Sequence, residues 1–265
     1  MKKAAKTELK EIRELLRDKK SRDRTDLFVA EGLKIVRDIF KKGHSLKKII
    51  VSESFARENA DFIERIQKKD VPIAIGNDTD IRKTSSLHHP EGILAIVERP
   101  VRNARTSKKN TLKVLLDNVQ DPGNVGAIIR ISVAFGVKEM LFFGDCADIY
   151  NPKTIRASVG TIMDINIREY DLEDLIALKE GGDVFFAMEA SGKDIEKAKN
   201  IIQKGTSAIL MFGNEGRGMA RSLLDIAQGS FAVPMNSAVE SLNVISAAAI
   251  ALYVFAKNRD LISKN

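Results

Sequence analysis

One cysteine, Cys146, and three histidines, His44, His88 and His89, stand in a chain of 265 residues. A lone cysteine excludes an intrachain disulfide, and so few soft donors leave no zinc-ligand spacing, so no metal is expected. No apolar run approaches the roughly 18 residues that a membrane-spanning helix requires. The N-terminus MKKAAKTELKEIRELLRDKK is basic but alternates with acids and lacks the apolar core of a secretion signal, which points to the cytoplasm. Phosphate-loop fingerprints are missing too. Neither Gly-x-x-x-x-Gly-Lys-Ser/Thr nor Gly-x-Gly-x-x-Gly opens a helix, which argues against a nucleotide-binding module of either common type.

What is present describes an ordinary globular protein, 44% hydrophobic and 30% charged, long enough for two medium domains that each bury a core. The charge is unevenly divided. Residues 1–110 hold 27 Lys+Arg against 17 Asp+Glu, net +10, whereas residues 111–265 hold 16 against 19, net −3. A basic half joined to a near-neutral one suggests that the first grips a polyanion backbone. A solvated, Lys-rich surface would give the same numbers.

Strands and helices alternate in both halves. Leu9, Ile12, Leu15 and Leu16 recur at helical spacing over residues 6–20, and FVAEGLKIVRDIFKKG reads as a second helix stopped by Gly43. LKKIIVS, VPIAIG and GILAIVER read as strands, with a helix at 55–69 between the first two. RPVRNARTSKKN lacks apolar periodicity, and residues 101–110 are taken as a linker. Beyond it, LKVLLD, KEMLFFG, DVFFAME, TSAILMFG and SFAVPM are short apolar strands. They are interspersed with helices at 124–135, around KTIRASVG and at 240–257. That alternation argues a parallel sheet covered on both faces.

Three stretches carry candidate chemistry. In DNVQDPGNVGAIIR, Asp117 ends a strand and Asn124 occupies a plausible helix N-cap. Arg130 shares a helix face with Gly123, Gly126, Ala127 and Ala134, small residues that would let another backbone or a nucleic acid approach the guanidinium; a surface arginine is the plainer alternative. In LMFGNEGRGM a strand runs into three glycines around Asn214, Glu215 and Arg217, at the edge where parallel sheets place ligands, although a plain glycine turn would look alike. In VPMNSAVESLNVISAAAIALYVFAK a loop feeds a helix apolar nearly all round, with Ser241 and Asn243 at its start; for Ser241 a capping role is the simple expectation.

DPGNVGAIIR, FGNEGRGM and VPMNSAVESLNVISAAA resemble, in order and spacing, motifs one, two and three of the SpoU (TrmH-like) RNA 2′-O-ribose methyltransferases of the SPOUT superfamily. NPKTIRASVG is similar to a segment these enzymes carry between the motifs, and EGLKIVRDIF with HPEGILAIVE looks like their small N-terminal domain. The resemblance implies an α/β fold: a parallel-sheet, trefoil-knotted catalytic domain over 111–265 that dimerises with a second copy, preceded by a small α/β RNA substrate-binding domain over 1–100. It implies S-adenosyl-L-methionine as methyl donor, with Gly213, Val233 and Leu242 lining its pocket and no metal. It implies that Arg130 engages the target phosphate and hydroxyl, and that Asn124, Glu215, Ser241 and Asn243 orient the arginine, ribose and cofactor. Members with such an added N-terminal domain often act on large-subunit ribosomal RNA, so the resemblance, together with the basic first half, favours that substrate. Transfer RNA, or a non-catalytic RNA-binding role, are the alternatives. Cys146 falls outside all three motifs, which argues against a cysteine nucleophile.

Overall fold

Strand and helix alternate in a computed structural model that describes residues 1–101, 111–200, 206–259 and 261. Most of the expected linker, residues 102–110, lies outside the described residues. Two units emerge: Met1–Val101 with Asp148–Met163, and Arg102–Ala147 with Asp164–Asn265.

The first unit runs β1 (Lys2–Lys3), α1 (Lys6–Arg17), α2 (Lys19–Thr25), β2 (Leu27–Glu31), α3 (Leu33–Lys41) and β3 (Leu46–Ser52). It continues through α4 (Glu53–Glu58), α5 (Ala60–Gln67), β4 (Ile73–Gly76), α6 (Asp78–Thr84) and β5 (Ile93–Glu98). Its sheet has the order β1-β4-β3-β5-β2, with β5 antiparallel to both neighbours. Helix α1 buries Leu9, Ile12, Leu15 and Leu16, as their spacing requires. At its start the Glu8 carboxylate accepts the Ala5 N–H at 2.8 Å and pairs with Lys48 on β3.

Two expectations fail in this unit. FVAEGLKIVRDIFKKG is not one helix. Phe28–Ala30 are buried in β2, paired residue by residue with β5, and Gly32 at φ +98° turns the chain before α3 begins. That conformation is open mainly to glycine. The Glu91 carboxylate then accepts the Leu33 N–H at 2.6 Å. The helix expected at 55–69 is likewise divided, at Asn59, into α4 and α5.

In the second unit β6 (Leu112–Asp117) leads into α7 (Pro122–Ala134) and β7 (Glu139–Phe143). Next comes Asp148–Met163, which clusters with the first unit and holds α8 (Pro152–Ser158). Arg22 of α2, 3% exposed, anchors it by donating to Asp148 Oδ2 at 2.6 and 3.0 Å. The second unit resumes with β8 (Asn166–Glu169), α9 (Leu172–Glu180), β9 (Val184–Asp194), β10 (Ala208–Phe212), α10 (Arg221–Ile226), β11 (Gly229–Ala232) and α11 (Val244–Asn258). The six strands are all parallel, in the order β11-β9-β10-β6-β7-β8. All six β6 residues are buried, which is why LKVLLD shows no polar alternation. Its lysine is no exception. Lys113 Nζ reaches Asp183 at 2.8 Å and Glu139 at 3.6 Å, so the buried charge is neutralised. The final helix begins at Val244 rather than residue 240, and β11 stops before Pro234 and Met235.

Candidate active site

Because β6 and β10 pair in parallel with Phe212 opposite Leu116, their carboxyl ends bring Asp117 and Gly213 to one edge of the sheet. Asp117 is 1% exposed. Its Oδ2 accepts the Ala220 N–H at 2.6 Å, and its Oδ1 accepts the Asn118 amide at 2.6 Å. It thereby ties the far end of the 213–220 loop to β6. The near end is closed by backbone contact. A Cβ on Gly213 would lie 2.7 Å from the Gly218 carbonyl group and the Met219 nitrogen, so only glycine fits without displacing backbone. Between them the Asn214 amide donates to the Asn118 carbonyl at 2.8 Å, and its Oδ1 accepts the Gly216 and Arg217 N–H groups at 2.9 and 3.1 Å. The loop is therefore pinned at three places. Sequence reasoning placed Asp117 only as a strand end; its anchoring role depends on a partner 103 residues away.

Helix α7 is capped by Asp121, not by Asn124. Asp121 Oδ1 accepts the Gly123 and Asn124 N–H groups at 2.7 and 3.0 Å, and Pro122 supplies the first helical position, where a missing N–H costs nothing. Relieved of capping, Asn124 turns its side-chain amide to Glu215, donating to Oε1 at 2.6 Å. Motifs one and two are thus joined by one charge-assisted hydrogen bond. Arg130 lies six residues further along α7, about 9 Å by helical rise and on a different face from Asn124. It is exposed and makes no hydrogen bond or ion pair among the described residues.

Beside the loop opens a cavity of about 690 Å³, within the range of roughly 300–1,000 Å³ typical of sites for small organic ligands. Gly213, Glu215, Val233, Ser241, Leu242 and Asn243 all line it; Asn124 touches it only through Glu215, and Arg130 is not among its walls. Asn243 is the cap of α11, its Oδ1 accepting the Ser246 N–H at 2.7 Å. Ser241 stands two residues before that cap, exposed and lining the cavity, so the expected capping role does not fall to it.

The lining is apolar where Met188, Phe212, Phe231, Val233 and Leu242 contribute, and among the described residues its only charged members are Glu189 and Glu215. Among the described residues no lysine or arginine lines it. Such a site suits a ligand with an apolar body and a positive charge, and it repels a phosphate. The donor set therefore fits S-adenosyl-L-methionine, whose sulfonium is cationic. Among the described residues no group of three or more His, Cys, Asp or Glu is placed to hold a metal ion, and no helix is long and apolar enough to cross a membrane. Burial pushes the Cys146 thiol up to about 11, and its Sγ–H faces the Leu116 carbonyl at 3.4 Å, so it is a poor nucleophile at neutral pH.

Residues 111–253 match the SpoU rRNA Methylase family, and residues 6–95 match the MRM3-like substrate binding domain. The chain is similar to the 23S rRNA (guanosine(2553)-2′-O)-methyltransferase RlmP of Bacillus subtilis, with 30% identity covering 90% of this chain and 92% of that protein. It is also similar to a 23S rRNA (uridine(2479)-2′-O)-methyltransferase of Streptomyces viridochromogenes, at 24% identity over 92% of this chain and 88% of that protein. The solved structure of an AdoMet-bound rRNA methyltransferase from Sinorhizobium meliloti superposes with a TM-score of 0.83 at 27% identity, covering 99% of this chain and 98% of that one.

Proposed function

The chain belongs to the SpoU rRNA methylase family, and from that premise we propose that it transfers a methyl group from S-adenosyl-L-methionine to a ribose 2′-hydroxyl of large-subunit ribosomal RNA. It is an enzyme of the SPOUT superfamily, and its parallel strand order is consistent with that superfamily's knotted fold. The observation that carries the proposal is the cavity walled by motifs two and three, which holds carboxylates and apolar groups and, among the described residues, no phosphate-binding cation. When bound there, S-adenosyl-L-methionine supplies an electrophilic methyl group on a positively charged sulfur.

The chain's own residues then have separable tasks. Gly213, Val233 and Leu242 hold the cofactor with backbone and apolar contact. Glu215, kept in place by Asn124, presents a carboxylate at the mouth of the cavity, where it accepts hydrogen bonds from the incoming ribose. Ser241 and the Asn243 amide flank the same opening. Arg130 grips the target phosphate, a task for which the described residues of the cavity offer no cation, and a planar fork suits it. Holding hydroxyl and methyl in line is itself a large part of catalysis.

The first 100 residues supply the basic RNA-binding surface, residues 101–110 the linker and residues 111–265 the catalytic domain. The enzyme works in the cytoplasm as a homodimer through its second half. Support for the dimer comes from α11, which exposes Ile250 and Tyr253 on an otherwise alanine-rich surface, with Tyr253 set edge-on against Phe135 of α7. Light scattering that found a monomer at micromolar concentration would contradict it.

The deciding experiment incubates the protein with labelled S-adenosyl-L-methionine and unmodified ribosomal or transfer RNA, then digests the RNA and identifies the product by mass spectrometry. A 2′-O-methylnucleoside in 23S RNA is expected. Label on a base, or only in transfer RNA, would overturn the assignment.

A further inference from the structure

Strand β9 bellies away from its neighbour. Ala187 pairs with Ser230 on β11, yet the next residue of β11, Phe231, pairs with Lys193, so Met188–Gly192 form a bulge between consecutive partners. Gly192 permits it. A Cβ there would stand 2.5 Å from the Phe231 carbonyl carbon and 2.6 Å from its nitrogen, so the bulge closes against β11 only with glycine at that position. The displaced residues Met188, Glu189, Ala190 and Ser191 become a wall of the cavity.

Glu189 is the charged member of that wall, and it is half-buried with no hydrogen bond or ion pair among the described residues. The cavity's other carboxylate, Glu215, is already engaged by Asn124 at 2.6 Å. Among the described residues that line the cavity, no cation offsets either. An uncompensated carboxylate in a largely apolar wall acts through a dielectric lower than that of water, so it favours a positive occupant over a neutral one of the same shape. Donor and product differ in that charge and in one methyl group. As the ribose oxygen bonds to the methyl carbon, the carbon–sulfur electron pair returns to sulfur and the hydroxyl proton passes to solvent, so the sulfonium gives up its methyl group and becomes a neutral thioether.

We propose that Glu189 is the charge-selecting residue of the cofactor pocket, setting its preference for the sulfonium donor over the thioether product. The proposal rests on the methyltransferase reading above. It assigns Glu189 a task distinct from that of Glu215, since of the two only Glu189 belongs to the bulge wall and has no hydrogen-bond or ion-pair partner among the described residues.

Calorimetric titration of the 265-residue protein with S-adenosyl-L-methionine and with S-adenosyl-L-homocysteine tests it. Glu189→Gln keeps the shape and removes the charge. It should weaken binding of the donor about tenfold while changing binding of the product less than about twofold. Glu189→Asp, which retains the charge, should keep most of the wild-type preference. Equal weakening of both ligands would overturn the proposal and make Glu189 a hydrogen-bonding wall residue. No change in either would also overturn it. A wild-type protein that bound neither ligand would overturn the methyltransferase reading itself, so the two failures are distinguishable.

Discussion

Replacing Asp117 should loosen the glycine-rich loop from a residue that never touches the cavity. The carboxylate is 1% exposed and accepts two hydrogen bonds, from the Ala220 N–H and the Asn118 amide, both at 2.6 Å. In Asp117→Ala both donors lose their acceptor inside the fold, at about 1–3 kcal/mol each. Part of that is offset because a buried charge no longer has to be desolvated. The net expectation is a loss of about 2–4 kcal/mol. Asp117→Asn keeps the volume and one acceptor oxygen, so it should cost about 1–2 kcal/mol. Urea unfolding followed by circular dichroism reads this as a lower midpoint with an unchanged slope. Calorimetry should show S-adenosyl-L-methionine affinity falling about tenfold or more in the alanine variant, because Gly213, Asn214, Glu215, Gly218 and Met219 all line the cavity from the tethered loop. If Asp117→Asn stayed within about 0.5 kcal/mol of wild type and bound cofactor normally, the tether would carry no weight and the loop would be held by its own turn.

Gly213→Ala should lose about 1–3 kcal/mol and most cofactor affinity, since its Cβ would meet backbone at 2.7 Å and no flexible side chain can yield; an unaffected Kd would count against the close approach. Arg130→Ala should leave folding and cofactor binding intact while slowing single-turnover methyl transfer about a hundredfold or more, and Arg130→Lys should recover part of that; near-wild-type transfer by the alanine variant would make Arg130 a surface residue. Glu8 has its carboxyl pKa held below the ordinary 4.5, first by the hydrogen bond with Lys48 and then by the Ala5 N–H. A lowered folded-state pKa contributes stability that is present above pH 4.5 and is lost as pH falls through the folded value. Glu8→Gln should therefore destabilise at neutral pH, by under about 1 kcal/mol because the pair is partly exposed, and the gap should close in acid. A gap independent of pH from 7 to 3 would refute the ion pair as its source.

How far the sequence reached can be traced residue by residue. β6 and β10 were legible because both faces are buried, so the strands read as unbroken apolar runs bounded by Asp117 and Gly213. The three motif stretches were legible as well, and the six motif-two and motif-three residues chosen from them converge on one cavity. FVAE misled because a short apolar run before an amphipathic helix has no period of its own to declare it a strand. Only its pairing with β5, some 70 residues on, makes it one. Asn124 misled for a related reason: Asp, Pro and Asn all suit a helix start, and which one caps depends on where the first turn closes.

β8, α9 and α10 carried too little pattern to be assigned, being short or bounded by weak signals. Asp117 and Glu189 lay beyond reach altogether. An aspartate at a strand end and a glutamate after an apolar strand are both most simply read as solvated. What distinguishes them is an Ala220 amide brought across the sheet, and a bulge in β9 that exists only because Phe231 and Lys193 pair out of step. Residue type within a motif declares which groups can do chemistry, whereas the groups that hold a loop or set a field are chosen by register. Register is a property of two strands together, and neither strand's sequence contains it alone.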